Sequence, residues 1–177
     1  MKGKLLFEET QYFKYTWSWW LIVLITPPTL GGIVYSFIQE LDRSGGEMSE
    51  GAMTTLFALI GTSTLIGGVI WLLHVLHLIV KVDEGTLTFT FYPFVRTPRS
   101  LSKSDLRQLY VRKYNPISEY GGWGYRVRGR RGKAFNIKGN WGLQLVFPDG
   151  KQLLLGTQKP KELEQAIQQL KGNWGME

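Results

Sequence analysis

Hydrophobic and polar positions are distributed along this chain in three ways. From Trp17 to Ile38, WSWWLIVLITPPTLGGIVYSFI, no residue is charged, and a second uncharged run extends from Gly51 to Val80. As helix, the 22 residues of the first run would span about 33 Å, which matches a hydrocarbon layer of roughly 30 Å. The second run is longer, at 30 residues, and as a helix it would tilt or continue past the layer. Two transmembrane helices are therefore predicted, at about 17–38 and 53–80. The first run is too long for the apolar part of a signal peptide and ends in Tyr35, Phe37 and Ile38 rather than small residues, so it is expected to be retained.

From Lys81 the period changes to two. In GTLTFTFYPF, Leu87, Phe89 and Phe91 alternate with Thr88, Thr90 and Tyr92, the pattern of a half-buried strand. Further strands are predicted at 109–114, 123–128, 134–137, 142–147 and 151–156. The last two flank Pro148-Asp149-Gly150, a tight-turn signal. A segment at 96–101 is expected to be an edge strand because it contains Pro98. The third pattern closes the chain. After Pro160, Leu163, Ala166, Ile167 and Leu170 recur at helical spacing, with Glu162 and Glu164 near the start, Lys171 near the end and Gly172 after it. The expected core comprises Leu87, Phe89, Phe91, Leu109, Val111, Val127, Leu143, Leu145, Leu153, Leu155, Leu163 and Ile167.

Charge adds orientation. The chain of 177 residues carries a net +7, distributed as +1 over residues 1–16, −3 over the loop 39–52 and +9 from Lys81 onward. Because Lys and Arg are held on the cytoplasmic side, both termini are expected inside and the acidic loop outside. The mean hydropathy of −0.10 conceals this division by averaging over both halves. Trp17, Trp19 and Trp20 stand where indoles favour the headgroup layer, and Pro27-Pro28 is expected to interrupt helical hydrogen bonding. Gly31, Gly32, Gly61, Ser63, Gly67 and Gly68 are candidates for close helix packing, within the hairpin or between copies of the chain.

Composition narrows the chemistry. The chain has no cysteine, which excludes disulfides, thiolate metal sites and a Cys nucleophile, and it has two histidines. His74 and His77 would share one face of a continuous helix, but nothing in the sequence completes a metal site around them, and neither a metal nor a cofactor is expected. Asp83, Glu84, Glu119 and Asp149 do not form a convergent acid–base set, and no catalytic residue is assigned. Gly121, Gly122 and Gly124 lack the lysine and the following helix of a phosphate loop, and are expected to form a bend or bulge.

The order of two apolar helices, then DEGTLTFTFYPF, NPISEYGGWGYR and KAFNIKGNWGLQLVFPDGKQLLLGTQKPKELEQAI, resembles a family of small bacterial membrane proteins, without an assigned activity, whose cytoplasmic part has a pleckstrin-homology-like fold. YGGWGYR and GTQKPKEL are the most specific pieces. The resemblance implies the fold of the cytoplasmic part, and together with the two apolar runs and the charge distribution the expectation is an α+β membrane protein of the bacterial inner membrane. Its N-terminal transmembrane hairpin (1–80) would be followed by a cytoplasmic domain (81–177), an antiparallel β-sandwich or barrel of two roughly orthogonal sheets capped by the C-terminal helix. The resemblance supplies no functional residue.

The residues themselves suggest one binding region. Arg126, Arg128, Arg130, Arg131, Lys133 and Lys138 form a basic run suited to anionic lipid headgroups. Nucleic acid is not expected, because no recognition motif accompanies the charge. The leading expectation is a non-enzymatic membrane protein that presents an interaction or scaffold domain to a membrane or cytoplasmic protein partner. The alternatives are headgroup binding through the basic run and service as a subunit of a transport complex.

Overall fold

The computed structural model describes residues 4–129 and 132–175. The chain divides into two units, one comprising Lys14–His74 and the other Met1–Phe13 together with Val75–Glu177.

The first unit holds two long helices, α1 (Trp17–Arg43) and α2 (Glu50–Val75). Both are long and apolar enough to cross a membrane, with mean hydropathies of 1.8 and 2.1, and neither apolar window is buried within the chain. Large side chains such as Leu24, Ile25, Phe57 and Leu65 are exposed. The turn between the helices uses Gly45 and Gly46 at φ +67° and +87°, a region that favours glycine. Pro27 and Pro28 lie inside α1, and the flanking Thr26 and Thr29 hydroxyls donate to the carbonyls of Ile22 and Ile25. A Cβ added at Gly31, Gly32, Gly61, Gly67 or Gly68 would meet nothing within 4 Å, and Ser63 is exposed. Within the single chain, then, nothing described packs closely on these glycines, whereas a Cβ at Gly51 would collide with the Glu40 side chain.

The apolar run that begins in α2 does not remain helical to residue 80. After Val75 the chain becomes a strand, β2 (His77–Asp83), in which Leu78, Val80 and Val82 are buried and His77, Ile79 and Lys81 are half-buried. Its β-branched alternation suits a sheet, and it has partners on both sides. One partner was not expected. Leu5–Tyr12 forms β1, antiparallel to β2 with Tyr12 opposite His77. The inward positions of β1 are Phe7, Glu9 and Gln11, so two of its three buried side chains are polar. His74 ends on a helix and His77 on a strand, which removes the shared helical face; His77 stacks between Tyr12 and Tyr92 at 5.5 and 5.4 Å.

The second unit is a pair of sheets. The first runs β1-β2-β3-β4, with β3 at Leu87–Tyr92 and β4 at Val95–Leu101. The second contains β5 (Gln108–Lys113), β6 (Gly124–Val127), β7 (Lys133–Asn136), β8 (Trp141–Val146) and β9 (Gln152–Thr157), in the order β5-β8-β9-β7-β6. The strands predicted from Leu87 onward are all present, and Gly150 closes the β8–β9 hairpin at φ +81°. The expectation of a wholly antiparallel sheet fails at one pair: β7 and β9 run parallel, with Phe135 opposite Leu155. The described strands form no closed barrel.

Leu78, Val80, Leu87, Phe89 and Phe91 supply one side of the core, and Leu109, Leu143, Leu145 and Leu155 the other. Helix α4 (Pro160–Trp174) buries Leu163, Ala166, Ile167, Leu170 and Trp174 against β1, β2 and β5. Two of the expected core residues differ: Val127 is 61% exposed and Val111 is half-buried. Val127 lies on β6, an outer strand of the second sheet.

The start of α4 explains the GTQKP motif. The buried carboxylate of Glu9 accepts from the Thr157 hydroxyl at 2.6 Å and from the Gln158 backbone N–H at 2.9 Å. Gln11 donates to the Gly156 carbonyl at 2.8 Å, and the Lys159 N–H donates to the Thr157 hydroxyl. The polar inward face of β1 is therefore matched to the strand-to-helix corner more than 140 residues away.

Candidate functional site

Order within the sheets leaves two outer strands, β4 and β6, on the side away from α4. Helix α4 fills the seam between β1 and β5. The opposite seam, between β4 and β6, has no element over it among the described residues and opens as a cleft of about 810 Å³, within the roughly 300–1,000 Å³ common for small-molecule sites.

Aromatic rings line its floor. Phe135 stacks with Phe91 at 4.9 Å and with Tyr125 at 5.2 Å, and lies 5.8 Å from Phe89; Phe94 lies 5.5 Å from Tyr125 and 6.1 Å from Phe91. The rings come from three strands and one turn, so they converge only when both sheets have formed. Phe94 remains 53% exposed at the β3–β4 turn. An exposed ring above buried rings is a contact surface with little further ordering to lose, since an aromatic side chain rotates about two bonds.

The cleft is also cationic. Arg99, Lys133 and Lys151 line it together with one acid, Asp149. Lys151 Nζ pairs with Asp149 Oδ2 at 2.6 Å, whose hydrogen bond holds the Asp149 carboxyl below its ordinary pKa. Arg99 and Lys133 have no carboxylate within 4 Å among the described residues. Register fixes where these charges lie. Arg99 is opposite Phe89, Lys133 is opposite Val127, and the next pair inward on β6 and β7 is Tyr125 with Phe135.

The described members of the basic run picked out by sequence point in different directions. Lys133 faces the cleft. Arg126 points to the other face of β6, where its Nε donates to the Trp123 carbonyl at 3.0 Å, and the Arg128 guanidinium lies beside Gly121. Lys138 is exposed in the β7–β8 loop, and Arg130 and Arg131 lie outside the described residues. Arg99, Lys151, Phe94 and Phe147 of the cleft were not singled out by sequence. For Arg99 the only signal was its odd-numbered spacing from Val95 in VRTPR, which has no meaning until β4 is known to be a sheet edge.

The NPISEYGGWG segment forms a separate polar brace on the other face of the second sheet. Asn115 caps the short helix α3 (Pro116–Tyr120), its Oδ1 accepting from the Ile117 and Ser118 N–H groups, and Gly121 ends it at φ +76°. Arg112 donates from Nε to Gln144 Oε1 at 3.0 Å and from NH2 to Glu119 Oε2 at 2.8 Å; the other Glu119 oxygen accepts from the Asn115 N–H. Burial works against the Arg112 charge, and the hydrogen bond and charge of Glu119 more than offset it, leaving the pKa raised. Beneath lie Tyr114, Tyr120, Ala134 and Leu154, a buried cluster in which Asn136 donates to the Tyr114 oxygen at 2.9 Å. Burial pushes the Tyr114 phenol up to about 12. Trp123 Nε1 donates to the Gly139 carbonyl at 3.1 Å, so the glycine-rich bend ties the loop after α3 to the β7–β8 loop. This region braces the sheet.

Among the described residues, no group of three or more His, Asp or Glu side chains is placed to hold a metal ion. No protein-family model matches the chain, and no curated protein is detectably similar to it.

Proposed function

We propose that this protein is a non-enzymatic, membrane-anchored binding module in which α1 and α2 form a transmembrane hairpin and the two-sheet unit presents the β4–β6 seam on the cytoplasmic side of a bacterial inner membrane. The open seam carries the reading: an aromatic floor with Arg99 and Lys133 at its rim, unpaired among the described residues, on the side of the sandwich away from α4. The pleckstrin-homology-like assignment belongs to this proposal. It is supported by two packed sheets and a C-terminal helix over one seam, and the parallel β7–β9 pair is a departure from it.

The ladder between β1 and β2 supports the hairpin. Tyr12 and His77 pair directly, so the chain between them must leave and return on one side of any membrane it crosses, which requires an even number of crossings. Two apolar helices satisfy that count. With net charge −3 in the connecting loop and +9 after residue 80, the strand unit belongs on the cytoplasmic side.

The absence of native cysteine makes anchoring directly testable. In intact cells, Glu47→Cys is expected to react with a membrane-impermeant maleimide and Lys138→Cys only after lysis; the reverse pattern refutes the orientation. The seam is tested by purifying the full chain and a Val127→Trp variant, which fills the cleft from an exposed position, in native lipid particles. A molecule retained by the first and lost from the second is expected. Identical inventories of lipid and protein in both refute the seam as the binding element.

A further inference from the structure

The register of the two sheets sorts the cleft into an apolar end and a cationic end. Tyr125 and Phe135 face each other across β6 and β7; one step of two residues along the same strands brings Val127 and Lys133. On the facing sheet, Phe91 is opposite Val95, and the next inward pair is Phe89 with Arg99. On β9, Leu153 lies beside Lys133, and beyond it the β8–β9 hairpin adds Lys151. Phe94, Val95, Tyr125 and Phe135 thus lie at one end, and Arg99, Lys133 and the Lys151–Asp149 ion pair towards the other. A groove built to add a polypeptide strand would offer side-chain pockets in alternation along its length and a free row of backbone donors. Here β4 carries Pro98, which has no donor, and four of its seven residues are Arg, Thr or Pro at exposed positions, the protective features of an edge that does not recruit strands.

The apolar end also has a defined place in the chain. The β3–β4 turn that carries Phe94 lies at the same end of its sheet as Tyr12, His77 and Tyr92, since His77 is opposite both Tyr12 and Tyr92. At that end the chain departs for α1 and returns from α2.

We propose that the seam takes a single-chain anionic amphiphile of the fatty-acid type, its carboxylate held by Arg99 and Lys133 and its acyl chain lying along Phe89, Phe135, Tyr125 and Phe94 towards the end from which the helices depart. The inference rests on the anchored-module reading and adds the ligand class. Charge complementarity selects the head: among the described residues Arg99 and Lys133 have no acidic partner, and a carboxylate bound there supplies one. The rings select the tail, because an apolar chain removes exposed Phe94 and Tyr125 surface from water. An uncharged chain would leave the cations unsatisfied and a short anion would leave the rings wet, so both parts are needed in one molecule.

The test uses the full chain in phosphatidylcholine nanodiscs with a palmitate analogue carrying a diazirine midway along its chain. After irradiation, peptide mass spectrometry is expected to find label on segments 89–95 and 125–135 as well as on α1 and α2. Labelling of the two cleft segments is expected to fall at least tenfold in the Arg99→Glu, Lys133→Glu variant, both positions being exposed, and at least tenfold when the methyl ester of the probe is used on the unaltered chain. Label on the helices should be unchanged in both arms. Cleft labelling that is equal for acid and ester, or indifferent to the charge reversals, overturns the ligand class. Label confined to the helices does so as well, the result expected if the seam instead receives a polypeptide, and it leaves anchoring intact. Label on neither helices nor cleft overturns the anchored reading and this inference together.

Discussion

The strand unit is discontinuous in sequence, and this yields a sharp test. A chain beginning at Lys81 keeps every strand that period-two alternation announces, yet it loses β1 and most of β2. Four fully or nearly fully buried side chains go with them: Phe7, Leu76, Leu78 and Val80, each 5% exposed or less. At about 1.5–3 kcal/mol for each buried apolar side chain, the loss is about 6–12 kcal/mol, an upper estimate because the unfolded chain already buries part of this surface. A domain of this size is typically stable by only about 5–15 kcal/mol. The loss also bares one face of α4 and leaves β3 without its inner neighbour. The fragment 81–177 is therefore expected to be unfolded or molten. A chain in which 14–74 is replaced by a short Gly-Ser linker is expected to fold, since Tyr12 and His77 are paired neighbours that a short connection can join. Urea titrations followed by tryptophan fluorescence and far-ultraviolet circular dichroism distinguish the two. A cooperative transition in 81–177 with the midpoint of the linker-joined chain would refute the reasoning.

Other consequences can be measured in the linker-joined chain. Glu9→Ala strips two charge-assisted hydrogen bonds from the corner before α4 and is expected to cost about 2–4 kcal/mol in denaturant unfolding; an unchanged midpoint would remove the corner from the account. Because the Tyr114 phenol is raised from its ordinary 10.0 to about 12, the folded state keeps a proton that the unfolded state releases. Stability is thus complete below pH 10 and declines between pH 10 and about 12, by on the order of 2–3 kcal/mol, and Tyr114→Phe should flatten that decline while costing about 1–3 kcal/mol at neutral pH through the stranded Asn136 amide. Gly132→Ala would place a Cβ against the Gln152 carbonyl at a φ of +77°, so its unfolding midpoint should fall sharply, whereas alanine at Gly150, which has open space despite its φ of +81°, should cost only the backbone strain of about 1–2 kcal/mol.

Much of this architecture is legible in the sequence. The charge-free runs announced α1 and α2, because each side chain on a membrane-spanning helix must tolerate lipid and the composition alone records that. Alternation announced β3 and β5 to β9 for a similarly local reason: one face of a strand is buried, so its period of two is written in consecutive residues. The β8–β9 hairpin and α4 followed from turn and amphipathic signals confined to a few positions. Local signals misled where a partner was remote. HLIV after α2 reads as more apolar helix, and only pairing with β1 and β3 turns it into a strand. Residues 5–12 show no apolar alternation because Glu9 and Gln11 face inward, and those two are tolerable there only because Gly156, Thr157 and Gln158 arrive from the far end of the chain.

The candidate site lay further from the reach of sequence. A run of Arg and Lys is conspicuous in one dimension, but strand geometry sends Arg126 to one face and Lys133 to the other. Composition and period, by themselves, determined that this chain has two lipid-compatible helices and a basic, strand-rich remainder closed by an amphipathic helix. Tertiary structure alone decided that the first strand completes that remainder, that α4 covers one seam, and that Phe94, Arg99, Tyr125, Lys133, Phe135 and Lys151 meet at the other. The physical reason is that helix and strand periods are set by neighbours a few residues away, whereas a seam is a property of which strands are left at the edges, and edges exist only once all the pairings have been made.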